Sequence, residues 1–255
     1  MLLSLISGSS GNSSLFTHKG TNILIDCGMS GRCLTETLKN LDMSGHDIDA
    51  ILVTHEHIDH TQGIGVVSRR FDIPVYLTEQ TFWGMNVGRI DDKNIKFIEP
   101  DRPFEIGNVL VDAFSIPHDA NDPVGYRLFA DNKKYAIATD IGTMTNELFD
   151  SLSGSKEIIL EANHDIKMLE NGPYPENLKE RILGNFGHMS NDLSGKTALS
   201  LVNRGTEKIM LAHLSNENNT PDIAFNTVKS YLKDGGVTDK DVFLTVAKRY
   251  EVTSF

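Results

Sequence analysis

The chain predicts an α/β fold. Three observations carry that prediction: short β-branched and apolar runs recur along the sequence, segments with helical apolar spacing lie between them, and five of the runs lead into a His, Asp or Glu. Ile51-Leu52-Val53 precedes His55, Ala113 to Pro117 precedes His118, and Ala136 to Thr139 precedes Asp140. Ile158 to Leu160 then stops at Glu161, and Ile209 to Ala212 at His213. Strand ends gathered on one edge of a sheet bring such groups into a shared cleft, although each alone could be a cap or a loop residue. With no repeat, low-complexity tract or linker, one domain is expected over 1–255, and it should bury roughly three-quarters of its unfolded surface.

Taken in order, Leu2 to Ile6 is an apolar run ending in Ser7-Gly8-Ser9-Ser10-Gly11-Asn12. That turn could cup an anion with its N–H groups and hydroxyls, or simply close a hairpin. Ser14 to Thr17 and Asn22 to Asp26 predict a strand pair around Lys19-Gly20, and Thr35 to Leu41 a helix. Thr61 to Arg70 should be a helix opening at the loop that follows Val53. Pro74 to Leu77 and Ile95 to Ile98 read as strands, with a helix over Thr78 to Val87 between them. Two further strand pairs follow, Phe104 to Ile106 with Val109 to Ser115, and Val124 to Ala130 with Lys134 to Ala138. Leu178, Ile182 and Leu183 give Pro175 to Leu183 an apolar stripe, as Ala198, Leu201 and Val202 do for Asn191 to Arg204. Thr220-Pro221-Asp222 is an N-cap with proline at the first helical position, and Val242 to Val246 is a late strand.

The densest chemistry is His55-Glu56-His57-Ile58-Asp59-His60, in the order H-x-H-x-D-H. His55 and His57 point the same way in extended backbone and can share one ion, while Asp59 and His60 can face a second. Neutral imidazole and carboxylate suit zinc, manganese or iron, and fewer than four protein ligands per ion leave a position for water.

The formal net charge of -11 argues against a passive nucleic-acid coat or a binder of anionic membranes. It leaves room for an enzyme that handles nucleic acid locally, because bound dications reverse the sign of the field in a cleft. Cys27 and Cys33 are the only cysteines, and no basic-then-apolar leader or long apolar span is seen, so a cytoplasmic protein is expected.

With these motifs in place, the sequence resembles the metallo-β-lactamase fold superfamily along essentially its whole length. The resemblance implies four αββα layers, two β-halves back to back with helices outside. It implies two divalent ions, manganese or zinc with iron also suited. His55, His57 and His118 would hold the first, Asp59, His60 and His213 the second, with Asp140 bridging. Glu161 to His164, Gly187 to Ser190 and Leu211 to Ser215 look like the motifs of the tRNA 3′-processing endonucleases of that superfamily. By that likeness His188 is the proton donor to the leaving oxygen and Glu161 its partner.

Ser7 to Asn12, Glu161 to Asp165, Gly172 to Pro175 and His213 to Asn219 are more similar to the small bacterial group known as YycJ or WalJ. That group implies 5′-to-3′ exonuclease activity on DNA. The short stretch between Asp140 and His213 has no room for the large cap domain of the RNA-degrading and DNA-repair branch, nor is there room for the RNA-gripping arm of the tRNA enzymes.

The resemblance thus implies a metal-bridging hydroxide as nucleophile, with Asp59, Glu161 and His188 as the catalytic residues. A nucleic-acid substrate, DNA ends or single strands, is expected, and no membrane partner. Ser9, Ser10, Asn12, His164 and Lys167 are the candidate substrate contacts, and Lys179, Arg181 and Lys196 could also meet phosphates. Each has a plainer reading, as a turn residue, a cap or a solvated helix face, and His188 could cap the helix that follows it. Two other classes remain open: a hydrolase of small esters, lactones or thioesters, and a non-catalytic regulator with a structural metal. The full ligand set argues against the regulator, which needs no open coordination position.

Overall fold

The computed structural model describes residues 1–255. The first half holds β1 (Leu2–Ile6), β2 (Ser13–His18), β3 (Thr21–Ile25), β4 (Ala50–Leu52), β5 (Val75–Leu77) and β6 (Ile95–Phe97). Among these strands lie α1 (Gly31–Lys39), α2 (Ile58–Thr61), α3 (Ile64–Phe71) and α4 (Glu79–Gly84). The second half runs through β7 (Phe104–Ile106), β8 (Val109–Ser115), β9 (Val124–Ala130), β10 (Lys133–Ala138), β11 (Glu157–Glu161), β12 (Lys208–Ala212) and β13 (Phe243–Val246). Its helices are α5 (Asn146–Leu152), α6 (Ile166–Asn171), α7 (Glu176–Leu183), α8 (Asn191–Val202) and α9 (Pro221–Asp234), and a last strand, β14 (Thr253–Ser254), ends the chain.

Two seven-stranded sheets result, in the orders β14-β1-β2-β3-β4-β5-β6 and β13-β12-β11-β10-β9-β8-β7. Each is antiparallel on one side and parallel on the other: β3 to β6 run parallel, as do β10 to β13. Two of the antiparallel hairpins, β2–β3 and β9–β10, turn at Lys19-Gly20 and Asp131-Asn132, where both residues of each pair have positive φ, as suits a two-residue turn between right-twisted strands.

The inner faces meet in an apolar core that includes Leu2, Phe16, Ile25 and Leu52 from one sheet and Val111, Tyr126, Ile137 and Met210 from the other. Leu34 and Val67 of α1 and α3 cover the outside of the first sheet, and Leu148, Ala198 and Val228 of α5, α8 and α9 the outside of the second. The αββα expectation therefore holds, and its layering follows from strands apolar on both faces.

Boundaries differ from the sequence reading in ways that have local causes. Helix α1 starts four residues early because the Ser30 hydroxyl accepts from the Cys33 N–H. The single helix expected over Thr61 to Arg70 is two, α2 and α3, broken at Gln62-Gly63, and the short α2 itself carries Asp59 and His60. Helices α5 and α6 were not anticipated; Thr145 and Asp165 cap them, but each is too short to show a clear stripe. No helix is long and apolar enough to cross a membrane.

Candidate metal centre

The parallel strands deliver their C-terminal ends to one edge, where the two halves meet. Strand β3 is followed by Asp26, β4 leads through Val53 and Thr54 to His55, β10 leads to Asp140, β11 ends on Glu161 and β12 is followed by His213. Asp26, Asp140 and His213 all have left-handed φ, so the chain turns sharply on leaving each strand. Two hydrogen bonds lock the halves together beside this edge: the Tyr126 hydroxyl donates to the Val53 carbonyl at 2.6 Å, and the Val124 N–H to the Thr54 carbonyl at 2.9 Å.

Hydrogen bonds fix the orientation of four imidazoles. Asp26 accepts from the Thr54 N–H and hydroxyl, each at 2.8 Å, and from His60 Nδ1 at 2.7 Å. Because the Thr54 hydroxyl donates to Asp26, its oxygen accepts from His55 Nδ1 at 3.0 Å. His118 Nδ1 donates to the Gly187 carbonyl at 3.1 Å, and His213 Nδ1 to Glu161 at 2.8 Å. In all four rings Nδ1–H is spoken for and the Nε2 lone pair remains, the arrangement that outer partners impose on metal-binding histidines. His57 offers its Nδ1, which lies 3.4 Å from His118 Nε2.

The donor atoms fall into overlapping groups whose members lie within 4.8 Å of one another: His55, His57 and His118; Asp59, His60 and His213; His55, His60 and Asp140; and Asp140, Glu161, His188 and His213. His55 Nε2, His213 Nε2 and Asp140 Oδ2 are buried with no hydrogen-bond partner. Buried lone pairs are costly when nothing electropositive meets them. A nitrogen- and oxygen-lined cluster of this kind fits divalent metal ions and gives each unpaired atom a partner.

Glu161 is wholly buried, yet it stays ionised. Burial works to raise its carboxyl, but His188 and His213 overcome that and hold it well below the usual carboxylate range. One oxygen accepts from His188 Nδ1 at 2.9 Å and from His213; the other accepts from the N–H groups of Ile141 at 2.6 Å and Met189 at 3.0 Å. Asp59 behaves alike: burial raises it, and His60 and His213 pull it far lower.

A cleft of about 250 Å³ opens over the cluster. His57, Asp59, Asp140, His188 and His213 of the cluster line it, together with Ser9, Asn163, Ser215 and residues of α7. A family model described as the beta-lactamase superfamily domain matches residues 21–214. The chain belongs to that superfamily.

Within it, the chain is 34% identical over 232 residues to the exodeoxyribonuclease WalJ of Streptococcus pneumoniae (strain D39), covering 89% of this chain and 86% of that protein. It is 35% identical over 236 residues to the exodeoxyribonuclease YycJ of Bacillus anthracis, covering 91% and 89%. Among solved structures, the metallo-beta-lactamase fold protein YhfI from Bacillus subtilis superposes with a TM-score of 0.71 at 17% identity, over 99% of this chain and 98% of that one. The short form of human tRNase Z does so with 0.66 at 16%, over 100% and 99%. The likeness to these two structures shows the shared fold.

As a member of the superfamily, the chain brings together all seven residues expected to hold metal, His55, His57, Asp59, His60, His118, Asp140 and His213, together with Glu161 and His188. The expected substrate contacts divide. Ser9 lines the cleft, whereas Ser10 and Lys167 are exposed and away from its wall. Asn12 is buried beneath it: its amide nitrogen lies 3.3 Å from Asp59 and 3.2 Å from His60 Nε2, and its oxygen accepts from the Gly8 N–H. The Ser7 to Asn12 segment is thus the β1–β2 connection, and it braces the site from below. His164 is buried with both ring nitrogens unpartnered and does not reach the cleft. Lys179 is tied to the Glu170 carbonyl and to Glu176.

Sequence reasoning missed Asp26, reading it only as the end of a hairpin. It also missed Gly28, where a Cβ would stand 1.7 Å from the Asp59 carbonyl carbon's oxygen, so only glycine lets the two segments touch. The signal available was Asp26-Cys27-Gly28 placed directly after an apolar strand.

Proposed function

We propose that this protein is a metal-dependent exonuclease of DNA that hydrolyses phosphodiester bonds at two divalent ions, manganese or zinc, digesting from 5′ to 3′ in the cytoplasm. The observation that carries this reading is the shared carboxylate: Glu161 accepts from both His213 and His188, so one ionised group ties a candidate ligand to a candidate proton donor. Similarity to WalJ and YycJ over most of the chain supports the choice of DNA. Two free cysteines, one buried and one exposed, suit a reducing compartment.

In this reading His55, His57 and His118 hold one ion, Asp59, His60 and His213 the other, and Asp140 lies between, since it groups with ligands of both sets. Bound ions would supply Lewis acidity toward a phosphoryl oxygen and lower the pKa of water. The protein's own share is orientation and proton transfer. His188 lines the cleft with Nδ1 held by Glu161, which leaves Nε2 as the edge that can give a proton to the departing sugar oxygen. Ser9, which lines the cleft, would be a contact to substrate.

The test is digestion of end-labelled single- and double-stranded oligodeoxynucleotides with added manganese or zinc, after chelation, comparing the parent with His188→Ala. The parent should release label from 5′ ends, chelator should stop it, and His188→Ala should lower the rate by roughly 10²–10⁴-fold with metal content unchanged. A parent that spares DNA but opens a lactone or thioester panel would sink the reading.

A further inference from the structure

Helix α7 turns one face to the cleft. Tyr174 just ahead of it, then Leu178, Arg181 and Ile182, line the same wall, at the spacing of a single helical face. The apolar stripe that the sequence suggested for this segment therefore does not simply face the core: Leu178 is half-buried at the cleft and Leu183 is exposed. The rest of the lining carries Asp59, Asp119 and Asp140, and histidines aside, Arg181 is the only cationic side chain on the cleft wall.

Arg181 is held in place. Its Nε donates to Asp119 Oδ2, and Asp119 is itself anchored by its N–H to the Phe186 carbonyl at 3.0 Å. The terminal nitrogens of the guanidinium have no protein partner among the hydrogen bonds, and the side chain is about half exposed. An ion pair this exposed adds little stability. A guanidinium fixed through Nε presents its remaining N–H groups as a fork suited to a phosphate. Beside it, the Tyr174 ring and the Leu178 and Ile182 side chains offer a surface for a sugar or base. The cleft, at about 250 Å³, is smaller than most drug-sized ligand pockets and suits one nucleotide better than several.

We propose that this face of α7 is the nucleotide-binding wall of the cleft, with Arg181, held by Asp119, contacting a substrate phosphate other than the one that is cut. The inference rests on the phosphodiesterase reading above and adds how the rest of the substrate is gripped. Arg181 is a binding residue here and Asp119 a positioning residue.

The experiment compares the parent, Arg181→Ala, Arg181→Lys and Asp119→Asn on two kinds of substrate. Bis(4-nitrophenyl) phosphate has a single phosphate; a short single-stranded oligodeoxynucleotide, with either a 5′-phosphate or a 5′-hydroxyl, has neighbours. Arg181→Ala should raise the ratio of the oligonucleotide KM to the small-diester KM by about tenfold with little change in the ratio of kcat values. Lysine should recover part of that loss, because it keeps the charge and not the fork. Asp119→Asn should move the same ratio in the same direction. The slope of log KM against log salt should fall by about 0.7 in Arg181→Ala, the share of one single-strand phosphate. Loss confined to the 5′-phosphorylated oligonucleotide assigns a terminal phosphate, and equal loss on both assigns a backbone phosphate; either supports the inference. An unchanged KM ratio in Arg181→Ala and Arg181→Lys overturns it while leaving the phosphodiesterase reading standing. Equal losses on both substrates accompanied by a lowered melting temperature also overturn it, since they mark a structural pair. A parent inactive on both substrates removes the phosphodiesterase reading, and the inference with it.

Discussion

Asp26, Asp140 and His213 occupy left-handed backbone conformations at φ 58°, 62° and 57°. Such conformations cost free energy for residues other than glycine, and they persist where the surroundings over-determine them. Here hydrogen bonds from Thr54 and His60 hold Asp26, and Ser7 and Glu161 hold His213. His164 is a different kind of exception, since neither ring nitrogen is partnered. Burial pushes its pKa down to about 4, Glu161 opposing and His188 adding to the effect. Above pH 6.5 the ring is neutral in both folded and unfolded chains. As pH falls from 6.5 toward 4, the unfolded chain takes up a proton that the folded one refuses, so stability is lost, by roughly 2 kcal/mol at pH 5. His164→Leu should therefore flatten this acid limb: its urea midpoint should exceed the parent's at pH 5 and move far less at pH 8. An equally steep limb in the variant would show that other groups set it.

At the scale of elements, the strand ends do the positioning and their outer partners do the aiming. Asp26, at the end of β3, reaches His60 on α2 across 34 positions of sequence and fixes both His60 and, through Thr54, His55. Asp26→Asn keeps the size but removes the charge and turns one of the two accepting oxygens into a donor, leaving Thr54 and His60 short of an acceptor, so metal affinity should fall by about 10–100-fold, read as metal retained after dialysis against graded chelator. Parent-like retention would reassign Asp26 to backbone bracing alone. The sequence made the ligand cluster legible because His55 to His60 is compact, and because Asp140, Glu161 and His213 each close an apolar run. Asp26 was not legible as a partner, since its contacts lie far away along the chain. Helix α7 was legible as a helix, but periodicity alone cannot distinguish a stripe on a core from one on a cleft.

At the scale of the whole molecule, the first half of the chain supplies His57 and Asp59 and the second half Asp140, His188 and His213, so the cleft exists only where the halves meet. The pairing order of the sheets was not readable from the chain, because hydrogen bonding between strands such as β12 and β13 leaves no local pattern. The same holds for β14. It pairs Thr253 and Ser254 with Ser4 and Leu3, and so returns the chain from the second sheet to the first. That two-residue strand is the outermost member of its sheet. Without it, β1, reading Leu2-Leu3-Ser4-Leu5-Ile6, would present unpaired N–H and C=O groups along an apolar row. Trimming the protein back to Ala247 should accordingly turn it into a self-associating species, visible as concentration-dependent light scattering. The few residues after Ala247 would then be a guard against aggregation.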